Sequence, residues 1–467
     1  MATTEDNAPA ADYTDRVIAV EPGGNETIPE SARHGSPRGL PWTWTSPNLE
    51  FATIFIGVLS VTVFGMSFWQ AALGLAVGIG LGAGAHYVLS ARGPVYGVPQ
   101  MVLGRTAFGY RGNALPATFM AIMCGVGWFA TNSVSGAFAL NTLTGLPKVP
   151  SLVLIVVLQT GFAVFGHNLV HAFERFVFPL LAVVFVLVTV VIVSKAELTG
   201  AAPEGGVGGV AGFLLTVGTA FGYAGGWNPY AADYSRYLPT AVSKVATGGY
   251  AATGLFVSCL WLSALGAASA TIVSAATGSP TDVFTANLPG ALANLTLLAI
   301  TLGAIAANAL NVYSGAMAFV TIGVKLPVRT QRALVSAVFG VVGFLVAWWA
   351  LPDAAAGYEA FLLIVAYWIG PWLGVVFADQ YLRRCTDIRP LLYDRAYTNW
   401  SGVVAFTTGL VVSVLLFSNQ AKFTGYLVRE FPTLGDITVF VGFALAGGLY
   451  LFVARHRVAA DRSIAPA

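Results

Sequence analysis

Residues 212–230 read GFLLTVGTAFGYAGGWNPY, a long apolar run that glycine, asparagine and proline interrupt near its end. A second interruption of this kind, Ser46-Pro47-Asn48-Leu49-Glu50, lies in the first apolar run of the chain. Proline removes a backbone donor, and unpaired backbone at membrane depth is tolerated only where it is buried in protein or lines a cavity. The two interruptions therefore predict two discontinuous membrane helices that share a site.

Charged residues are scarce in the rest of the chain. They make up 9% of the 467 residues, whereas 56% are hydrophobic. A helix needs about 20 apolar residues to cross the hydrocarbon layer of a membrane, and the sequence contains twelve such runs. This pattern predicts an all-α integral membrane protein without a separate soluble domain. The runs begin near Trp44, Ala71, Asn113, Pro150, Phe173, Gly212, Lys244, Ala291, Gln331, Tyr358, Asn399 and Asp436.

Lysine and arginine are distributed unequally between the two ends of these runs. If both termini are cytoplasmic, 19 of the 23 basic residues fall in inner segments. Only Lys148, Lys195, Lys422 and Arg429 then fall in outer loops. Because cytoplasmic loops carry an excess of basic residues, this asymmetry predicts twelve spans in the plasma or inner membrane, with both termini inside.

Several other classes of function are disfavoured by composition. The net charge of +2 is small and the basic residues are scattered, which argues against a nucleic-acid partner. The three cysteines form no metal-binding pattern, and no phosphate-binding loop for ATP is present. We therefore expect no enzyme activity, cofactor, metal site or obligate protein partner. Residues 1–40 are predicted as a cytoplasmic tail, 41–456 as one transporter domain and 457–467 as a second tail.

The positions of the two interruptions also suggest a repeat. They fall in corresponding helices if the first ten helices form two units of five, at about 41–196 and 210–384, followed by extra helices at 397–456. Because each unit has an odd number of helices, the second unit has the opposite orientation in the membrane. The substrate site of transporters with inverted repeats lies at the broken helices. The alternative is coincidence, because 53 glycines and 23 prolines will interrupt some pair of helices by chance.

The loop before the third run, residues 104–116, reads GRTAFGYRGNALP and resembles the signature loop of the nucleobase:cation symporter family, the purine and cytosine permeases. The similarity covers about residues 29–455 in the same order. It continues through Gly127-Trp128-Phe129, His171-Ala172-Phe173-Glu174-Arg175, residues 226–234, residues 308–314, residues 378–382 and Asn399-Trp400.

This resemblance implies a leucine-transporter-type fold of twelve helices and cation-coupled uptake of a nucleobase or a related heterocycle. The fungal-type subgroup matches best, so we expect a secondary active transporter for cytosine or for purines such as adenine, guanine and hypoxanthine. Its partners are then a small-molecule substrate and the lipid bilayer. The alternatives are another ring on the same fold (allantoin, hydantoin, uracil, a nucleoside or a vitamin B6 compound), sodium coupling, or a channel or sensor.

Aromatic and amide side chains are the candidates for holding a flat heterocycle. Trp128 and Asn132 are four residues apart and share a helix face, as do Asn308 and Asn311, which are three apart. Trp227 lies in the second interruption and offers a further stacking surface. Amides can pair with the donor and acceptor edge of a base. Without the resemblance, each asparagine could equally be a contact between helices and each tryptophan a lipid-facing residue.

Carboxylates within the apolar runs are the candidates for coupling and gating, because a charge at mid-bilayer costs at least ~2.5–3.5 kcal/mol. Glu50, with Asn48 beside it, is a candidate for the coupling cation, or else it bonds freed backbone. Glu174 is expected at the start of the fifth helix, in a helix-end or ion-pair role; the fungal-type resemblance implies a part in substrate selection. Asp233 with Arg236 is expected to form a cytoplasmic gate or loop contact.

The coupling ion follows from a departure from the family pattern. Sodium-coupled relatives carry a serine/threonine pair just before the asparagine that matches Asn308, where this chain has Ala306 and Ala307. Alanine offers no side-chain oxygen, so a hard cation would lose two ligands. A proton is therefore expected rather than sodium.

Overall fold

The structure is a computed structural model that describes the backbone of residues 24–165, 167–272, 278–322 and 328–464. Within these ranges, the side chains of residues 163–165, 167–176, 313, 328–333 and 459–464 are outside the description. Nearly all of the described chain is helical. The helices are α1 (Leu40–Thr45), α2 (Phe51–Thr62), α3 (Phe68–Ser90), α4 (Gly93–Tyr96), α5 (Gln100–Leu103), α6 (Arg105–Phe108), α7 (Ala114–Ile122), α8 (Phe129–Thr144), α9 (Lys148–Phe165), α10 (His167–Lys195), α11 (Gly209–Gly225), α12 (Ala231–Ser235), α13 (Lys244–Ser269), α14 (Pro280–Thr285), α15 (Gly290–Thr321), α16 (Val328–Ala350), α17 (Ala354–Leu382), α18 (Arg389–Leu392), α19 (Trp400–Phe417), α20 (Tyr426–Glu430) and α21 (Thr438–Ile464).

Shorter elements connect these helices. Two strands, β1 (Asn419–Gln420) and β2 (Phe423–Thr424), pair antiparallel after α19. A π-helical segment, Met123–Trp128, joins α7 to α8 without a break in direction. The 3-10 turns are Glu30–Ala32, Pro37–Gly39, Ser46–Asn48, Asn228–Tyr230, Leu351–Asp353 and Pro432–Leu434.

Nine helical stretches in the described ranges are long and apolar enough to cross a membrane. One of them, Leu334–Leu382, is 49 residues long and contains parts of both α16 and α17. The shorter apolar helices Phe51–Thr62 and Lys148–Phe162 accompany them. Large apolar side chains such as Val341 and Trp349 on the outside of the bundle are 61% and 72% exposed, as lipid-facing residues are. The count of twelve spans stays a prediction.

The first interruption has its own hydrogen bonds. Helix α1 passes into the turn Ser46–Asn48, and Glu50 is extended (φ −143°, ψ 169°) before α2 begins. The Asn48 side-chain amide donates to the Trp44 carbonyl at 2.6 Å, and the Thr53 hydroxyl donates to the Asn48 carbonyl at 2.7 Å. Side chains therefore replace bonds that Pro47 and the turn remove from the helix.

The second interruption lies between α11 and α12. Helix α11 ends at Gly225, and the turn Asn228–Tyr230 leads into the five residues of α12. Pro229 occupies the first turn, where its missing N–H removes no helical hydrogen bond. Both interruptions are buried, so the broken backbone is enclosed by protein as the sequence analysis expected.

Residues 24–39, which belong to the segment predicted as a cytoplasmic tail, pack against one end of the bundle. The Asn25 amide donates to the Thr321 hydroxyl at 2.8 Å, and the Ile28 backbone N–H donates to the Gly97 carbonyl at 2.9 Å. The backbone N–H and the hydroxyl of Thr240 both donate to the Glu30 carboxylate at 2.9 Å and hold its pKa below the usual range. This segment therefore bridges loops and helix ends from distant parts of the chain.

Glycines allow α2 and α13 to cross in close contact. A Cβ atom added at Gly57 would lie 1.7 Å from the Ser263 carbonyl oxygen. One added at Gly266 would lie 1.8 Å from the Ile54 carbonyl oxygen. Small residues permit such close backbone approach between membrane helices. The crossing fixes α2, and with it Glu50, against the neighbouring helix.

We expect Gly57→Val to destabilise the protein by ~1–3 kcal/mol or more, because the added side chain forces two backbones apart. The measurement is thermal unfolding of the purified protein in detergent, followed by fluorescence-detected size exclusion. Gly84→Val is the control, because a Cβ at Gly84 meets nothing within 4 Å. An unfolding temperature for Gly57→Val equal to that of the control would contradict the crossing.

Candidate functional site

The two interrupted helices are joined by a direct hydrogen bond. The Trp227 indole Nε1 donates to the Asn48 side-chain oxygen at 3.0 Å, and both residues are buried. The Trp44 ring packs edge-on against the Trp227 ring at 5.9 Å. The structure thus brings together the two interruptions that lie about 180 residues apart in the sequence.

Glu50 lies next to this junction and is 3% exposed. The Tyr223 hydroxyl on α11 is 3.1 Å from its Oε1 and 2.5 Å from the Thr53 hydroxyl. Its Oε2 has no hydrogen-bond partner among the described side chains. A carboxylate in such a place is costly unless it is protonated or meets a cation, because neutral hydroxyls do not compensate its charge.

Helix α15 faces Glu50 with small residues. A Cβ added at Gly303 would lie 2.9 Å from the Leu49 carbonyl oxygen and 3.6 Å from the Glu50 Cβ. Ala306 and Ala307 on the same helix are buried. The backbone of the first interruption therefore lies against α15 at Gly303, and Ala306 and Ala307 in the next turn of α15 also have no side-chain oxygen.

The π-helical segment Met123–Trp128 positions the predicted tryptophan of the third helix. Such segments insert an extra residue per turn and are frequent at functional sites. The Trp128 ring packs edge-on against the Tyr223 ring at 5.3 Å and the Phe361 ring at 4.9 Å. A Cβ added at Gly226 would lie 3.2 Å from Trp128 Cζ2. Trp128 therefore lies directly beside the second interruption.

The three predicted asparagines form one hydrogen-bonded cluster. The Asn132 amide donates to Asn308 Oδ1 at 3.1 Å, and the Asn311 amide lies 3.4 Å from the same oxygen. All three side chains are buried, at 1%, 0% and 2% exposure. Asn132 Oδ1 has no hydrogen-bond partner among the described groups. The helix-face spacing used in the sequence analysis therefore identified residues that do meet in space.

Two further members of this cluster were missed. Gln159 on α9 accepts from the Asn308 amide at 2.8 Å, and the Tyr230 hydroxyl donates to Asn311 Oδ1 at 3.0 Å. The Tyr230 ring also lies 5.1 Å from the Trp227 ring. Tyr230 thereby links the amide cluster to the second interruption. Gln159 is a polar residue within an apolar run, and this was the sequence signal that could have identified it as a member of the site.

A cavity of about 120 Å³ borders Trp128 on the side of its neighbours Gly127 and Phe361. Its walls are mostly aromatic and aliphatic, with the hydroxyls of Thr131 and Ser135 on one side. Pro280 of α14 and Ala350, at the end of α16, also line it. The cavity therefore extends from the aromatic residues of the site toward the connections before α15 and before α17.

The two predicted gating residues, Asp233 and Arg236, lie away from the asparagine cluster. Asp233 Oδ1 accepts from the Gln100 backbone N–H at 2.9 Å. Arg236 donates to the Gly24 carbonyl at 3.0 Å and to the Tyr237 hydroxyl at 2.9 Å. Both residues are buried at the end of the bundle that residues 24–39 cover. They connect loops at that end, and their predicted role as a cytoplasmic gate or loop contact stays a prediction.

The Glu174 side chain lies outside the described residues, so its predicted role stays a prediction. Its expected position at the start of a helix was wrong, because α10 begins at His167 and places Glu174 about two turns into the helix. The apolar run begins where the helix becomes hydrophobic, whereas the helix itself begins about two turns earlier.

Asp379 is the centre of a second buried polar network near the end of α17. Its Oδ1 accepts from Arg383 Nε at 2.9 Å and from the Tyr450 hydroxyl at 2.7 Å. Its Oδ2 accepts from the Thr106 hydroxyl at 2.6 Å. The Asn399 amide donates to the Thr106 carbonyl at 3.1 Å. The network joins the loop at 104–116 to residues 378–382 and Asn399, which also carry the resemblance to the symporter family.

Known permeases resemble this chain over most of its length. The family model described as a permease for cytosine/purines, uracil, thiamine and allantoin matches residues 27–442. YxlA of Bacillus subtilis, a candidate purine-cytosine permease by its name, is 27% identical over 93% of this chain and 95% of its own. The purine-cytosine permease fcyB of Emericella nidulans is 26% identical, with 93% and 88% covered.

A solved structure shares the fold. Mhp1, a nucleobase-cation-symport-1 family transporter in a closed conformation with bromovinylhydantoin bound, superposes with a TM-score of 0.74 at 19% identity. The match covers 95% of this chain and 97% of that one. The fold is therefore an all-helical membrane-transporter fold like that of Mhp1. Together with the match to the permease family, it indicates a transporter rather than an enzyme.

We expect Gln159→Leu to lower stability by ~1–3 kcal/mol, because it leaves the buried Asn308 amide with one acceptor fewer. Thermal unfolding of the purified protein measures the change. Gln420→Leu is the control, because this residue is only partly buried and lies outside the cluster, where its side chain donates to the Ala360 carbonyl at 3.2 Å. Equal unfolding temperatures for the two variants would show that Gln159 does not support the amide cluster.

Proposed function

We propose that this chain, which belongs to the family of permeases for cytosine/purines, uracil, thiamine and allantoin, imports cytosine or purine bases by proton symport. The observation that carries the proposal is the buried cluster of Asn132, Asn308 and Asn311 beside two tryptophans at the interrupted helices. Such a cluster offers what a flat, hydrogen-bonding ring requires and little that a charged or flexible substrate would use.

The amide cluster supports a nucleobase as the substrate. Its members donate and accept hydrogen bonds, and Asn132 Oδ1 has an acceptor to offer to an exocyclic amine or ring N–H. A site built to hydrogen-bond its ligand rejects an analogue that lacks the group by ~10⁴-fold or more. Stacking on Trp128 or Trp227 adds roughly 0.5–1.5 kcal/mol per ring pair, with little choice between bases. In this proposal the asparagine amides therefore select between bases, and the tryptophans hold the ring of whichever base is bound.

Glu50 is proposed to carry the coupling proton, with Asn48 holding the first interruption beside it. The carboxyl group is buried and accepts from the neutral Tyr223 hydroxyl, which suits a protonated state when substrate is bound. Gly303, Ala306 and Ala307 offer no side-chain oxygen for sodium. A proton that crosses with the substrate gains ~2.3 kcal/mol per 100 mV of membrane potential, enough for tens-fold accumulation.

The proposed topology has twelve spans, two inverted repeats of five helices and both termini in the cytoplasm of the cell that carries it. The direct bond between Asn48 and Trp227 supports the pairing of the two broken helices. The distribution of basic residues supports an inner position for residues 24–39, Asp233 and Arg236. The cavity beside Trp128 is then the outer approach to the site.

Transport follows from alternating access around this site. A base enters from the outer cavity, stacks on Trp128 or Trp227 and pairs with the asparagines. Protonation of Glu50 removes a buried charge and lowers the cost of closing the outer side. Separation of the contacts made by Asp233 and Arg236 then opens the inner side, and base and proton leave.

A different heterocycle is the second candidate. The fold likeness to Mhp1 with bromovinylhydantoin bound favours a hydantoin-like ring, which offers similar donor and acceptor edges. This alternative would be sodium-coupled if backbone oxygens near Leu49 bound the ion in place of the hydroxyls that Ala306 and Ala307 lack.

We expect cells that lack their own transporters to take up radiolabelled cytosine when they express this chain. Unlabelled adenine or hypoxanthine should compete, a protonophore should abolish accumulation, and replacement of sodium should have no effect. Cells with empty vector are the control. Competition by a hydantoin or allantoin but not by purines, or strict dependence on sodium, would contradict the proposal.

A further inference from the structure

Three buried contacts between oxygen atoms connect Glu50 to the backbone of the first interruption. The Tyr223 hydroxyl lies 3.1 Å from Glu50 Oε1 and 2.5 Å from the Thr53 hydroxyl. The Thr53 hydroxyl lies 2.7 Å from the Asn48 backbone carbonyl oxygen. Each of the four residues is at most 3% exposed. Their oxygens therefore form a continuous chain, the hydroxyl chain, from the carboxyl group to the broken backbone.

The number of hydrogens in the hydroxyl chain depends on Glu50. The Thr53 and Tyr223 hydroxyls carry one hydrogen each, whereas a carboxylate and a backbone carbonyl carry none. With Glu50 ionised, two hydrogens serve three contacts, so one pair of oxygens meets without a hydrogen between them. A proton on Glu50 Oε1 supplies the third hydrogen. Every contact is then a hydrogen bond, donated from Glu50 to Tyr223, from Tyr223 to Thr53 and from Thr53 to the Asn48 carbonyl.

Tyr223 is the titratable residue that meets the carboxyl group. Within the described part of the chain, Glu50 Oε2 has no hydrogen-bond partner, and Oε1 is bonded to the Tyr223 hydroxyl. Lys244 is exposed at the start of α13, and the Tyr358 hydroxyl donates to the Ala52 carbonyl at 2.9 Å. On α17 and on the helices packed against α2, the other described titratable side chains are His86, Tyr87, Lys244, Tyr250, Cys259 and Tyr358. None of these six has a hydrogen bond to the carboxyl group.

Both ends of the hydroxyl chain also contact the candidate substrate site. The Tyr223 ring packs edge-on against the Trp128 ring at 5.3 Å. The side chain of Asn48, whose carbonyl ends the chain, accepts from the Trp227 indole at 3.0 Å. Tyr223 therefore meets the proposed proton site with its hydroxyl and a proposed stacking residue with its ring.

We infer that the Tyr223 hydroxyl, with Thr53 as the next link, couples the proton on Glu50 to closure of the site around the base. While the outer side is open, the Glu50 carboxylate takes a proton from water and an O–H bond forms at Oε1. The Tyr223 hydroxyl turns its hydrogen from Glu50 to Thr53, which completes the three contacts of the closed arrangement.

Release reverses these movements. When the inner side opens, the Glu50 O–H bond breaks, the proton passes to cytoplasmic water, and the Tyr223 hydrogen turns back to the carboxylate. One contact between α2 and α11 then lacks a hydrogen, so the closed arrangement is incomplete without the proton. The inference rests on the proposed proton symport and assigns its coupling to two positioning residues, Tyr223 and Thr53.

The test uses the full chain in proteoliposomes and compares driven accumulation of radiolabelled cytosine with exchange at equal pH. With the inside one pH unit more alkaline, the proton gradient is about tenfold, so one proton per cytosine supports about tenfold accumulation. Exchange of internal for external cytosine requires no net proton movement. Tyr223→Phe keeps the ring against Trp128 and removes the hydroxyl. We expect its accumulation ratio to fall to about one, because closure no longer depends on the proton, while exchange stays within about threefold of wild type.

Thr53 supplies a matched pair of variants. Thr53→Val has a similar shape without the hydroxyl, whereas Thr53→Ser keeps the hydroxyl. We expect Thr53→Val to lose accumulation as Tyr223→Phe does, and Thr53→Ser to retain it. Tyr367→Phe is the control, because it removes the hydroxyl of a buried tyrosine that donates to the Asp436 carboxylate, outside the hydroxyl chain. It should accumulate cytosine like wild type.

Two results would overturn the inference alone. The first is wild-type accumulation by Tyr223→Phe or by Thr53→Val. The second is equal loss of exchange and accumulation in both variants, which indicates a packing role for the two hydroxyls. If Tyr223→Phe does not fold, the difference between Thr53→Val and Thr53→Ser decides. Wild-type protein that exchanges cytosine but does not respond to the pH gradient would overturn the proposed proton symport as well.

Discussion

The hydrogen bond between Trp227 and Asn48 holds together the part of the molecule on which the rest depends. Two helices are broken inside an apolar bundle, where free backbone groups have no water to pair with. The side chains of Asn48 and Thr53 satisfy the first break, and the bond to Trp227 joins it to the second. A polar site can exist in this membrane protein because these bonds stabilise the broken backbone around it.

Three groups of buried polar residues have different surroundings. The asparagine cluster is neutral and largely paired within itself, which suits exchange of its internal hydrogen bonds for those of a base. Glu50 lies at the first break, where its carboxyl group accepts from the neutral Tyr223 hydroxyl. Asp379 is paired with Arg383 and two hydroxyls, as expected of a structural network. In the proposed mechanism, substrate selection, proton coupling and mechanical connection are thus assigned to separate side chains.

Much of this arrangement could be predicted from the sequence, and the parts that could not have physical reasons. Proline together with polar residues marked both breaks, and helical spacing placed Asn308 with Asn311 on one face. Gln159 and Tyr230 joined the cluster only through the packing of distant helices. The π-helical segment before Trp128 has no sequence signal besides its glycines. Glu174 was misplaced because the start of an apolar run is not the start of a helix.

The central claim is that the tryptophans and asparagines at the two breaks form the binding site for a base. The most direct test is an experimental structure of the purified protein with cytosine bound. We expect density for a flat ring against Trp128 or Trp227, with its polar edge within hydrogen-bonding distance of Asn132, Asn308 or Asn311. Density confined to the apolar cavity lined by Tyr358 and Phe361, with the asparagine cluster unchanged, would contradict the account.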